Sequence, residues 1–113
     1  MLHEFALGLK PPYFAVIFSS LRSEGESEYG VTAQRMEELA RTMPGYLGIE
    51  STRGSNGFGI TVSYWQDETS LKEWRKNSEH MLAQQRGRRE WYEHYEVRIA
   101  KVERSYAGGL DRN

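Results

Sequence analysis

Two Glu-His dipeptides in this 113-residue sequence, Glu79-His80 and Glu93-His94, set a carboxylate beside an imidazole. Such a pair could relay a proton or help to ligate a metal. Neighbours in sequence point to different sides of a helix or strand, so neither dipeptide is a site by itself. There is no Gly-x-Gly-x-x-Gly after a strand, no Walker loop, no His-Glu-x-x-His and no Gly-x-Ser-x-Gly. Gly54, Gly57 and Gly59 precede an extended run where a phosphate cradle would open a helix, so they read as turn residues. With no cysteine, disulfides, thiolate metal sites and a cysteine nucleophile are excluded. What remains is aromatic. Three Trp, seven Tyr and four Phe are many for so polar a chain, and they are expected to line something.

The 15 Lys+Arg and 16 Asp+Glu are interspersed and give a net charge of −1. A chain without a basic field has nothing to condense on phosphates, so no nucleic-acid partner is expected. The length fits one domain, residues 1–113, with a core over about 13–106, a leader over 1–12 and a tail over 107–113. A chain this short buries only about two-thirds of the surface its unfolded form exposes, which favours association. No apolar run approaches the ~20 residues of a spanning helix, so no membrane partner is expected. Met1-Leu2-His3-Glu4-Phe5 lacks the basic start and long apolar run of a secretory signal, and the cytoplasm is the default location.

Those aromatics need elements to position them. Tyr13 to Ser20 is β-branched and aromatic, the composition of a strand, and both of its faces are largely apolar. Such a strand is expected to be covered on both sides. Tyr29, Ala33, Met36, Leu39, Ala40 and Met43 recur at helical spacing until Pro44-Gly45 ends the pattern. Two extended runs, Tyr46 to Arg53 and Phe58 to Trp65, flank Gly54-Ser55-Asn56-Gly57, a hairpin signal. From Gln66 the pattern is helical again, with Asp67 as N-cap and a stripe through Leu71, Trp74, Ser78, Met81 and Leu82 towards Gly87. Trp91-Tyr92 leads into a last alternating strand, Tyr95 to Arg104. Strand, helix, strand, strand, helix, strand is the α+β, ferredoxin-like βαββαβ order. Two helices cover one face of its sheet. A second copy packed sheet to sheet would cover the other, giving a homodimeric α+β barrel.

One stretch is more specific. Tyr64-Trp65 closes a strand, an acidic helix start follows, Trp74 comes nine residues after Trp65, and Glu79-His80 comes soon after. With Pro44-Gly45-Tyr46-Leu47-Gly48-Ile49-Glu50, Gly87-Arg88, Trp91-Tyr92 and Val102-Glu103-Arg104-Ser105-Tyr106, this resembles the antibiotic biosynthesis monooxygenase (ABM) superfamily from about Tyr13 to Tyr106. The resemblance implies a dimeric α+β barrel. Some members oxidise polycyclic aromatic or quinol-like substrates with O2 and no cofactor. Relatives bind and degrade haem through a Trp, an axial His and an Asn.

For cofactor-free oxygenation of a small aromatic, the resemblance implies an apolar pocket with a base and with donors for developing charge. His80 is the candidate base. Trp65, Trp74, Trp91 and Tyr92 are candidate walls, Tyr64 and Arg98 candidate donors, and Gln84 shares a helix face with His80 as a polar rim. Each has a plainer competitor: Trp65 and Trp74 as packing residues, His80 as a partly buried hydrogen-bonded histidine, and Arg98 as the partner of Glu96 or Glu103 on a neighbouring strand. The alternative cofactor is haem, with Trp74 against the porphyrin. In the haem degraders the axial His falls where this sequence has Gln84, and His80 lies one turn earlier, about 6 Å along the axis. The third reading is a non-catalytic dimeric module that binds a hydrophobic metabolite.

Overall fold

The computed structural model describes residues 4–22, 29–84 and 92–109, with side chains except at 29–33 and 81–84. The expected order of elements is present: β1 (Tyr13–Arg22), α1 (Tyr29–Thr42), β2 (Tyr46–Arg53), β3 (Phe58–Trp65), α2 (Glu68–Gln84) and β4 (Tyr92–Val102). The strands form one antiparallel sheet in the order β2-β3-β1-β4, the ferredoxin-like arrangement.

Local chemistry sets the boundaries. Asp67 caps α2, its Oδ1 accepting the Ser70 backbone N–H at 2.8 Å. That bond holds the Asp67 carboxyl below the usual carboxylate range. α2 runs unbroken through Asn77 and Ser78, whose side chains bond back to the Glu73 and Arg75 carbonyls. After α1, Gly45 takes φ +84°, where a side chain is strained, and its carbonyl accepts from the Gln66 amide at 2.8 Å. In the β2–β3 hairpin Gly57 is left-handed, and Asn56 Oδ1 accepts the Phe58 N–H at 3.0 Å. β4 differs from expectation. It starts at Tyr92, because Arg22 pairs with Tyr92 beyond a register shift after Leu21, and it ends at Val102.

Register divides the sheet into two faces. Phe14, Val16, Phe18 and Ser20 of β1 stand opposite Trp65, Ser63, Thr61 and Gly59 of β3, and all point towards the helices. Val16, Trp65, Leu71, Trp74 and Ala40 form the buried cluster there, with Phe14, Met36, Leu39, Met43 and Tyr46 packed around it. The outer face carries Ala15, Ile17, Tyr64, Val62, Ile60 and Phe58. Its end near Tyr13 is covered by the leader: the Ala6 amide donates to Glu50 Oε2 at 2.9 Å, and Ala6 lies so close over Gly48 that a Cβ there would sit 2.8 Å from its methyl. The other end leaves Phe58 and Ile60 exposed. β1 is therefore apolar on both sides, as its composition implies. No helix of the described residues is long and apolar enough to cross a membrane.

Candidate active site

Between the helix-facing side of the sheet and the two helices lies a cavity of about 380 Å³, towards the small end of the roughly 300–1,000 Å³ range of small-molecule sites. β1 contributes Val16 and Phe18, β4 contributes Tyr92, Tyr95 and Val97, and α2 contributes Trp74. The Phe18 ring meets Tyr92 edge-on at 5.3 Å and Tyr95 at 5.3 Å, which makes an aromatic corner on the β4 side. The opposite floor is hydroxylic. Ser51 of β2 and Thr61 of β3 are bonded to each other at 2.8 Å, and Ser63 follows two residues along β3. Gln34, Met36 and Glu37 of α1 and Arg75, Ser78 and Glu79 of α2 line the helical side. Glu37 is tied to Arg41 at 2.6 Å, and Glu79 lies 3.7 Å from Arg75.

The candidates from the sequence divide. Trp74 and Tyr92 line the cavity. Trp65 is fully buried behind Trp74, stacked on it at 5.7 Å, so it supports the wall from the core. Packing and pocket formation coexist in this pair. Tyr64 lies on the outer face, where its hydroxyl donates to Glu50 Oε1 at 2.7 Å and its ring meets Tyr13 edge-on. Burial, then the Glu50 hydrogen bond, pushes its phenol well above the ordinary tyrosine range. Arg98 also points to the outer face, because the helix-facing residues of β4 are Tyr95, Val97 and Ile99. It pairs with Glu96 at 3.0 Å, two residues away on its own strand rather than on a neighbouring one. His80 is exposed and is not a lining residue; its neighbour Glu79 is. The structure thus brings Trp74 and Tyr92 together and leaves Tyr64, His80 and Arg98 outside the cavity. Trp91 and the Gln84 side chain lie outside the described residues.

Sequence reasoning missed the hydroxyl floor, Ser51, Thr61 and Ser63, and the aromatic Tyr95. The signal was present as the period-2 spacing Thr61-x-Ser63 in a strand ending at Trp65. Haem finds no described imidazole in the lining, since His80 is exposed and is not among the lining residues, so the described cavity does not fit an axial-histidine haem. Among the described residues no three His, Asp or Glu side chains gather into a metal site.

Comparison with known proteins bears on the family and the fold. Residues 12–86 match the family described as Antibiotic biosynthesis monooxygenase. The chain is 54% identical over 95 residues to YqjZ of Bacillus subtilis (strain 168), a protein described as uncharacterized, covering 84% of this chain and 83% of that one. It is 31% identical over 94 residues to the jasmonate monooxygenase ABM of Pyricularia oryzae, covering 79% of this chain but only 43% of that protein. Among solved structures, SnoaB, a cofactor-independent oxygenase from Streptomyces nogalater, superposes with a TM-score of 0.66 at 9% identity, covering 84% of this chain and 97% of its own. PA3566 from Pseudomonas aeruginosa superposes with a TM-score of 0.64 at 19% identity, covering 88% and 100%. At these identities the two structures speak to the fold.

Proposed function

The chain belongs to the antibiotic biosynthesis monooxygenase family, and on that footing we propose that it is a monooxygenase that oxidises a small or polycyclic aromatic, quinol-like substrate with O2 and without metal, flavin or haem. The observation that carries the reading is the cavity itself: an aromatic corner and the Trp74 indole enclose enough space for such a ring system, with hydroxyls on one side and carboxylates at the rim. The jasmonate monooxygenase and SnoaB support oxygen chemistry on this fold.

The chemistry suits a substrate methylene activated by a neighbouring aromatic ring and carbonyl. A base removes one proton, and the resulting anion passes an electron to O2. The radical pair forms a C–O bond, and the peroxide takes back the proton. Loss of water with the second hydrogen leaves a new carbonyl, so one oxygen atom stays in the product and the other departs as water. All four electrons that reduce O2 come from the substrate methylene, and no external reductant is needed. Of the two carboxylates facing the cavity, Glu37 is held by Arg41 at 2.6 Å and Glu79 only loosely by Arg75 at 3.7 Å. We assign the base to Glu79 in place of His80.

The same reading includes a homodimer. Phe58 and Ile60 on the outer face are 48% and 37% exposed, beside half-buried Ile17, Leu21 and Val62. A second sheet packed on this patch would bury it around a two-fold axis.

Oxygen uptake with an anthrone and quinol panel, together with 18O2 labelling, tests the function. The expected result is turnover above the uncatalysed rate with one labelled atom in the product, reduced at least tenfold in Glu79→Gln. Uptake no faster than without protein would remove the enzyme and leave a binding module. Loss of turnover in His80→Ala with Glu79→Gln unaffected would return the base to His80.

A further inference from the structure

The Ser63 side chain is 4% exposed and lies on the cavity floor. Its Oγ accepts the Trp65 indole N–H at 2.9 Å. An indole nitrogen can only donate, so this bond occupies a lone pair of the serine oxygen and leaves the hydroxyl proton to be donated elsewhere. Among the described residues no acceptor takes it. The strand neighbours directly opposite Ser63 are Val16 on β1, and Ile49 on β2, both apolar. The nearby hydroxyls differ, because Ser51 and Thr61 satisfy each other. Nor can the indole turn away: Trp65 is fully buried, stacked on Trp74 and met edge-on by Tyr46 at 5.7 Å. A buried donor without an acceptor carries a desolvation penalty that a suitable ligand atom relieves.

We propose that Ser63 is a substrate-binding donor, aimed by Trp65, and that it selects ring systems bearing a ketone, quinone or phenolate oxygen. This rests on the reading of the cavity as a substrate site. The oxygen that accepts from Ser63 lies over the Val16 and Trp74 side of the cavity, with the rest of the ring system towards the aromatic corner. Removal of a proton from the carbon next to a carbonyl moves negative charge onto that oxygen, so the bond strengthens as the anion forms. Ser63 then contributes to binding and, more strongly, to the charge-developing step.

Equilibrium dialysis with 1-tetralone and with tetralin, the same ring system without the oxygen, tests the assignment without requiring turnover. In Ser63→Ala the ratio of ketone to hydrocarbon affinity falls by about five- to tenfold, the worth of one neutral hydrogen bond. Tetralin affinity stays within about twofold, and Ser63→Thr, which keeps the hydroxyl, keeps the wild-type ratio. If the alanine variant does not fold, Ser63→Cys takes its place, since a thiol of similar size is a much weaker donor. An unchanged ratio in the folded variant would overturn the assignment. Failure of both probes to bind the wild type would overturn both the assignment and the cavity as a substrate site. A ratio that falls as expected in a protein that consumes no oxygen would keep Ser63 as the donor and remove only the monooxygenase reading.

Discussion

The Trp74 indole lies on that of Trp65, ring centroids 5.7 Å apart and planes 20° from parallel, so one ring faces the cavity and the other closes the core. Removing Trp74 therefore has two effects. Trp74→Ala is expected to cost about 3–5 kcal/mol in urea unfolding, the usual range for a large aromatic taken from a packed core. Trp74→Phe keeps an aromatic partner for Trp65 and loses less, while changing ligand affinity. Equal losses in the two variants would mean that a phenyl ring restores neither the stack nor the packing.

Sequence and structure agree most closely where a signal is local or periodic. Pro44-Gly45, Asp67 and Asn56-Gly57 bound their elements by their own chemistry, and the apolar residues of Tyr13 to Ser20 fall on both faces of the sheet. The site was less legible because it depends on phase. Successive residues on a helix are turned by about 100°, so a one-residue error exchanges Glu79, which lines the cavity, for exposed His80. Arg98 was open to a parity argument. Tyr95, Val97 and Ile99 are the apolar set of that strand, and Arg98 belongs to the other. Arg53 of β2 and Ser20 of β1 meet across the intervening strand β3, and no local pattern announces such a pair.

Arg53, at the end of β2, reaches past β3 to the β1 residue Ser20 and to Tyr92 at the start of β4. Its Nη2 donates to Ser20 Oγ at 2.7 Å, and its Nη1 to the Ser20 and Gly57 carbonyls, while the guanidinium lies 5.9 Å from the centre of the Tyr92 ring. A Cβ at position 59 would fall 2.8 Å from the Arg53 Cζ, so glycine there makes room for the side chain. Arg53→Met is expected to lose about 2–3 kcal/mol, because hydrogen bonds from a charged donor exceed neutral ones. Ser20→Ala loses less, since the carbonyl bonds survive. A double-mutant cycle is expected to give a coupling of about 1 kcal/mol, and additivity would show that the two act separately.

Gly45 combines a left-handed backbone with a tight neighbour. A Cβ there would sit 2.5 Å from Ser70 Cβ and closer still to its Oγ. Gly45→Ala is expected to destabilise by about 2 kcal/mol or more, from backbone strain plus overpacking. Ser70→Gly in the same chain should recover only the steric part. Full recovery in thermal unfolding would mean that the backbone conformation costs nothing.

Acid weakens the start of α2. The Ser70 amide bond lowers the Asp67 pKa from its ordinary 3.8, so the folded state prefers the carboxylate. A depressed folded pKa gives stability that is present above the unfolded value and is lost as pH falls through the folded one. Wild type is therefore expected to lose its advantage over Asp67→Asn between pH 6 and pH values well below 3.8, as thermal melts across that range would show. A constant difference between the two proteins would assign the cap to geometry alone.

The outer face offers the last test, that of the proposed homodimer. Ile17 sits in the middle of the sheet, opposite Val62 on one side and Arg98 on the other, and Ile60 follows on β3. His94, Glu96 and Arg98 form a charged row along β4, with the Glu96 pKa lowered first by its hydrogen bond from His94 and then by Arg98. An apolar strip edged by charge is the pattern of an interface core and its rim. Light scattering of the wild type at micromolar concentration is expected to give twice the 13.1 kDa chain mass. Ile17→Glu with Ile60→Glu would bury carboxylates in the proposed interface and should give a folded monomer with an unchanged far-ultraviolet spectrum. A wild-type monomer at that concentration would remove the barrel and leave Phe58 and Ile60 as surface residues of a single sheet.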